Sequence, residues 1–88
     1  MVNKWELAGK INSSDYRKRV LLSLKEGNKT PTQLSKSLDI KMSHISRALK
    51  ELENMNLIKC LTPELRKSKM YEITKLGRNC IPLLDEYK

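Results

Sequence analysis

Apolar residues recur at the 3.6-residue period of an amphipathic helix in three successive stretches of the chain. In the first, 13–26, Tyr16, Val20, Leu21 and Leu24 form the apolar stripe. Ser13 or Ser14 serves as its cap, and Asp15 suits the positive end of the helix dipole. Gly27 and Asn28 are expected to supply a left-handed stop. The second stretch, 31–38, opens on a capping box: Thr30 at the cap, Pro31 in the first turn and Gln33 three residues beyond the cap. Leu34 and Leu38 face inward. After a short turn at Asp39 and Ile40, a third helix spans 42–54 and buries Ile45, Ala48, Leu49 and Leu52. Met55 and Asn56 end it, because asparagine tolerates positive φ.

The period then changes. Residues 57–61, LIKCL, and 70–74, MYEIT, are short strand-like runs. The polar connection between them, TPELRKSK at 62–69, makes the pair a hairpin with a long basic loop. Thr74 can cap a last helix reaching about Tyr87, with Leu76, Cys80, Ile81, Leu83, Leu84 and Tyr87 on its apolar side. Pro82 lies within it and predicts a kink or a restart. Residues 1–12 hold scattered apolar positions, including Trp5, and form an arm or a short helix. The expected fold is mostly α with a small β-hairpin: one domain over 1–88, divided into an arm (1–12), a three-helix core with its hairpin (13–74) and a C-terminal helix (75–88).

With 88 residues the chain can bury one modest core. Its 18 Lys and Arg outweigh 10 Asp and Glu, giving a net charge of +8 that favours a polyanionic partner, nucleic acid before anionic lipid. No stretch approaches the roughly 18 apolar residues of a membrane span, and the N-terminus lacks the apolar run of a signal peptide. Cys60 and Cys80 form neither a disulfide framework nor a CxxC pair, which suits free thiols in a reducing cytoplasm. One His and two distant Cys do not make a metal site. Inert thiols are the simpler reading, although Lys59 and Arg78 lie next to the cysteines' neighbourhood in sequence and leave a redox sensor conceivable. No catalytic constellation, phosphate loop or cofactor motif is present, so an enzyme is not expected and no cofactor is required.

The order helix, helix, short turn, helix, hairpin, helix, together with HISRALKELENMNLI, CLTPELRKSK and YEITKLG, resembles the winged helix-turn-helix transcriptional regulators of bacteria and archaea. It is most similar to MarR-like and ArsR-like regulators, in particular small archaeal ones, over about residues 15–82. The resemblance implies double-stranded DNA as partner, with helix 42–54 in the major groove and the hairpin loop 62–69, the wing, on the adjacent minor groove or backbone. The chain departs from the family pattern in three places. Lys41 stands where a capping Ser or Thr is common, so Ser43 is expected to cap a shifted start. Asn56 stands where glycine is common, and Ser68 between Lys67 and Lys69 replaces a glycine at the wing tip.

The outer face of helix 42–54 fits that role. Lys41, Ser43, His44, Ser46, Arg47 and Lys50 precede any carboxylate, and Glu51 and Glu53 come only toward the helix end. Arg47 can pair with a guanine edge or a phosphate, Ser43, His44 and Ser46 can meet base edges or phosphate oxygens, and Lys50 suits the backbone. Arg66, Lys67 and Lys69 charge the wing. Thr30, Thr32 and Gln33 open the preceding helix, where backbone N–H groups can hold a phosphate, although plain capping explains them equally. Trp5, Leu83, Leu84 and Tyr87 on the two terminal segments are candidates for a homodimer interface. Alternatives at this level are a winged-helix protein-interaction module in a larger assembly and a sequence-independent, chromatin-type DNA binder.

Overall fold

The computed structural model describes residues 3–66 and 69–84; Lys67, Ser68 and Tyr87 of the expectations above lie outside the described residues. Its elements are α1 (Lys4–Asn12), α2 (Asp15–Glu26), α3 (Pro31–Leu38), α4 (Met42–Asn54), β1 (Ile58–Cys60), β2 (Tyr71–Ile73) and α5 (Lys75–Leu84). The N-terminal segment is thus a helix rather than an arm. Asn3 Oδ1 accepts from Glu6 N–H at 2.8 Å to start it, and Leu7, Ala8 and Ile11 are buried.

Local chemistry accounts for most boundaries. Ser14, not Ser13, caps α2 by accepting from Arg17 N–H. The capping box of α3 is complete: Gln33 N–H donates to Thr30 Oγ1 at 3.2 Å, and Thr30 N–H donates to Gln33 Oε1 at 2.9 Å. Two left-handed residues end helices. Asn56 (φ 61°) closes α4, with Leu57 N–H returning to the Leu52 carbonyl and Asn56 N–H to the Glu53 carbonyl. Asp39 (φ 55°) ends α3, and Ile40 N–H returns to the Ser35 carbonyl. The Ser35 hydroxyl also donates to the Ile40 carbonyl at 2.6 Å, fixing the angle at which α4 leaves the turn.

Three local expectations are corrected. Gly27 has φ 163° and ψ 163°, an extended conformation, so α2 ends without a left-handed stop. Ser43 does not cap α4; Lys41 is the cap residue, it makes no side-chain cap bond, and Ser43 lies inside the first turn. Helix α5 runs through Pro82 to Leu84 without a restart. Pro82 falls in the last described turn, where it removes one intrahelical bond rather than a ladder of them.

Strands β1 and β2 pair antiparallel with Ile58 opposite Ile73, Lys59 opposite Glu72 and Cys60 opposite Tyr71. Lys29, in the link between α2 and α3, makes a single antiparallel bridge to β2: its N–H donates to the Tyr71 carbonyl at 3.2 Å, and Tyr71 N–H donates to the Lys29 carbonyl at 3.0 Å. This bridge ties the hairpin to the helix-turn-helix. A single core gathers Val20, Leu21, Leu24, Leu34, Ile45, Leu49, Leu52, Leu57 and Ile58 from the middle elements, closed by α1 and α5. Gly77 allows that closure at the hairpin base, since a Cβ there would lie 2.3 Å from the Leu57 carbonyl oxygen. Among the described residues no helix is long and apolar enough to cross a membrane.

Candidate nucleic-acid interface

The buried stripe of α4 is the one its period predicts: Ile45, Ala48, Leu49 and Leu52. Their burial turns the opposite face outward. Lys41, Ser43, Ser46, Arg47 and Lys50 are exposed, and His44 is half-buried on the flank. Among the described residues, the side chains of Arg47 and Lys50 make no hydrogen bond or ion pair, so both cations face solvent. Met42 also lies on this surface, 41% exposed, an apolar group in the first turn of the helix.

Of the two acids of α4, Glu51 faces a cation of α2, and Glu53, near the helix end, is exposed. Glu51 Oε1 lies 3.8 Å from Arg17 Nε of α2. Arg17 is only 20% exposed at its side chain, and its Nη2 donates to Ser13 Oγ at 3.2 Å. Its Nε is buried without a hydrogen-bond partner, so Glu51 supplies charge compensation rather than a bond. This pair draws the first carboxylate of α4 toward α2, away from the cationic face.

Tyr16 sits beside Arg17, and its spacing predicts a place in the core stripe of its helix. It is 38% exposed instead and stacks on His44, with ring centroids 4.5 Å apart and planes 17° from parallel. Helical spacing puts Tyr16 in line with Val20 and Leu24, but it stands in the first turn of α2, where its ring meets His44 of α4 rather than the core.

At the start of α3, Thr30 and Gln33 are engaged in their mutual capping box. Thr32 is exposed and uninvolved in it. In the wing, Arg66 is exposed and Lys69 half-buried, and Lys67 lies outside the described residues. Thr62 anchors the loop. Its carbonyl accepts from Leu65 N–H at 3.1 Å, and its hydroxyl accepts from Met70 N–H at 3.0 Å. Lys59, a further cation of β1, pairs across the strands with Glu72 at 3.4 Å. Helix α4 and the wing therefore form two cationic elements joined through β1, and Lys29 fixes the sheet to the α2–α3 link.

At the other end, Trp5 is 51% exposed and Leu83 half-buried. Leu84 corrects an expectation: at 2% exposure it belongs to the protomer's own core, covered by α1, with the Asn12 side-chain amide donating to its carbonyl at 3.5 Å. Tyr87 lies outside the described residues. Burial pushes the Cys80 thiol above its usual range, with Lys4 opposing weakly. Burial likewise raises Tyr71, helped by the nearby Cys60 and Glu53. Among the described residues no three His, Cys, Asp or Glu side chains converge as a metal site would require.

Comparison with solved structures gives the same architecture. A MarR-family transcription regulator superposes with a TM-score of 0.76 at 27% identity, over 94% of this chain and 57% of its own. A MarR-family regulator from Neisseria meningitidis gives 0.73 at 21%, over 90% and 58%. TubR bound to 24 bp of tubC, from Bacillus thuringiensis serovar israelensis pBtoxis, gives 0.82 at 15%, over 100% of this chain and 98% of its own. The chain thus spans little more than half the length of these two MarR-family regulators and nearly all of TubR. No curated protein matches the sequence. The family model described as methanogenesis regulatory protein FilR1, N-terminal domain, matches residues 8–84. The chain is a winged helix-turn-helix domain and belongs to the FilR1 N-terminal domain family.

Proposed function

We propose that this domain is a sequence-specific, double-stranded DNA-binding transcriptional regulator that inserts α4 in the major groove and rests its wing on the adjacent minor groove or backbone. One observation carries the reading: the outward face of α4 presents Ser43, His44, Ser46, Arg47 and Lys50, and its first acid, Glu51, is drawn aside by Arg17. A helix that enters a groove flanked by phosphates needs its leading half free of carboxylates, as residues 41–50 are. Arg47 is the reader of a base edge, Lys41 and Lys50 meet phosphates, and Arg66, Lys67 and Lys69 serve the wing. Thr32 and the first N–H groups of α3 are phosphate contacts, with Thr30 and Gln33 holding that helix start rigid. The FilR1 family description and the MarR-family neighbours support regulation over catalysis.

A homodimer formed through α1 and α5 completes the proposal. Exposed Trp5 and half-buried Leu83 lie on those helices, whereas Leu84 is excluded by its burial. A two-fold axis there would set two copies of α4 about one DNA turn, roughly 34 Å, apart. Selection of random duplex DNA on the purified protein at near-physiological salt tests both parts. Enrichment of an inverted repeat with half-sites about 10 base pairs apart is expected. Salt-sensitive binding without enrichment would replace regulation by sequence-independent packaging of DNA, and no retained DNA would leave a protein-interaction module. Arg47→Ala should reduce the preference for the enriched site by about 1–3 kcal/mol.

A further inference from the structure

We infer that Tyr16, on α2 and outside the helix-turn-helix, is a specificity-positioning residue that holds His44 in the orientation in which it reads DNA. The inference rests on the DNA-binding reading above. His44 is the one histidine of the sequence. It stands in the first turn of α4, three residues from Arg47 and so on an adjoining part of the same surface. A histidine on a helix flank ordinarily samples several rotamers, and ordering it on binding carries an entropic cost. Here one ring face lies against Tyr16, nearly parallel at 17° and 4.5 Å between centroids.

Stacking engages the face of an imidazole and leaves its edge, which carries both nitrogens, in a plane parallel to the tyrosine ring. Among the described residues neither nitrogen has a hydrogen-bond partner. The ring is therefore held in place while its donor and acceptor stay unengaged, the condition for reading a base edge or a phosphate oxygen with little ordering on contact. Tyr16 lies in the first turn of α2, next to Arg17, whose guanidinium faces Glu51 about two turns further along α4. Two neighbouring side chains of α2 thus grip α4 at His44 and at Glu51, one fixing a reader and the other withdrawing an acid.

The experiment compares equilibrium binding to the duplex enriched by the selection and to a shuffled duplex of the same composition. The proteins are wild type, Tyr16→Ala, Tyr16→Leu, Tyr16→Phe, His44→Ala and the Tyr16→Ala/His44→Ala double variant. Thermal unfolding accompanies each, and Arg47→Ala is the control. Tyr16→Ala and Tyr16→Leu should lower the preference for the enriched duplex by about threefold to tenfold, the scale of one aromatic pair. Tyr16→Phe should restore it, because the ring is kept. In the His44→Ala background Tyr16→Ala should have no further effect.

Restoration by Tyr16→Leu would mean that Tyr16 acts only as apolar packing and would overturn the inference. So would an equal loss with and without His44, or an equal loss on both duplexes. If Arg47→Ala also leaves the preference unchanged, the DNA-binding reading itself fails, and the inference falls with it. If only Arg47→Ala lowers the preference, the DNA-binding reading stands and the role of Tyr16 is refuted.

Discussion

Gly77→Ala is expected to destabilise the domain even though alanine is the better helix former. Gly77 lies in α5, and its Cβ position would fall 2.3 Å from the Leu57 carbonyl oxygen and 2.7 Å from Ile73 Cγ1. Two opposing effects set the magnitude. Replacing glycine by alanine inside a helix favours folding by about 1 kcal/mol. Against it stands overpacking, typically about 1–3 kcal/mol. The Ile73 side chain can turn, but the Leu57 oxygen is backbone and accepts from Thr74 N–H at 3.0 Å. Moving it strains that bond, which contributes roughly another 1 kcal/mol. The net expectation is a loss of about 1–3 kcal/mol, or a fall in Tm of roughly 10 °C for a domain of this size. Urea and thermal unfolding measure it. Gly27→Ala is the matched control: its φ is extended and no atom lies within 4 Å of its Cβ position. That variant should be neutral or more stable by up to about 1 kcal/mol. Wild-type stability in Gly77→Ala would refute the close approach of α5 to the hairpin base. A loss in Gly27→Ala as large as in Gly77→Ala would refute the assignment of the cost to contact rather than to the loss of glycine.

Four further outcomes are expected. Glu51→Gln removes a half-exposed carboxylate that lies 3.8 Å from Arg17 and makes no hydrogen bond to its Nε, so it should change stability by less than about 1 kcal/mol while tightening binding to every DNA sequence; gel-shift titrations with specific and shuffled duplexes check it. Ser35→Ala removes the 2.6 Å bond to the Ile40 carbonyl and should cost about 1 kcal/mol in urea unfolding. Tyr71 is held above its ordinary value of about 10 by burial, then by Cys60 and Glu53. Its contribution is therefore present in full below the ordinary tyrosine value and lost as pH rises through the raised one. Unfolding free energies at alkaline pH should fall less steeply in Tyr71→Phe. Finally, an alkylating reagent at neutral pH should label half-buried Cys60 well before buried Cys80, whose labelling should follow global opening.

What the sequence determined by itself was set by interactions three or four residues apart. The box of Thr30, Pro31 and Gln33, the αL residue Asn56 and the stripe Ile45, Ala48, Leu49 and Leu52 all act within one or two turns. For that reason α3 and α4 keep their expected bounds, and the cationic face of α4 follows once its stripe is buried. The hairpin was legible through its change of period, although its strands shorten to three residues each. The tertiary structure decided whatever depends on distant neighbours. Lys29 joins the sheet because the α2–α3 link meets Tyr71, 42 residues away. Leu84 leaves the candidate dimer surface because α1 is a helix that covers it. Gly27 is extended because the link must run toward the hairpin. Tyr16 and Arg17 reach His44 and Glu51 only because α2 crosses α4 at that point. A hydrophobic period states which side of a helix faces inward. Which element waits there depends on the packing of helices that no local pattern encodes.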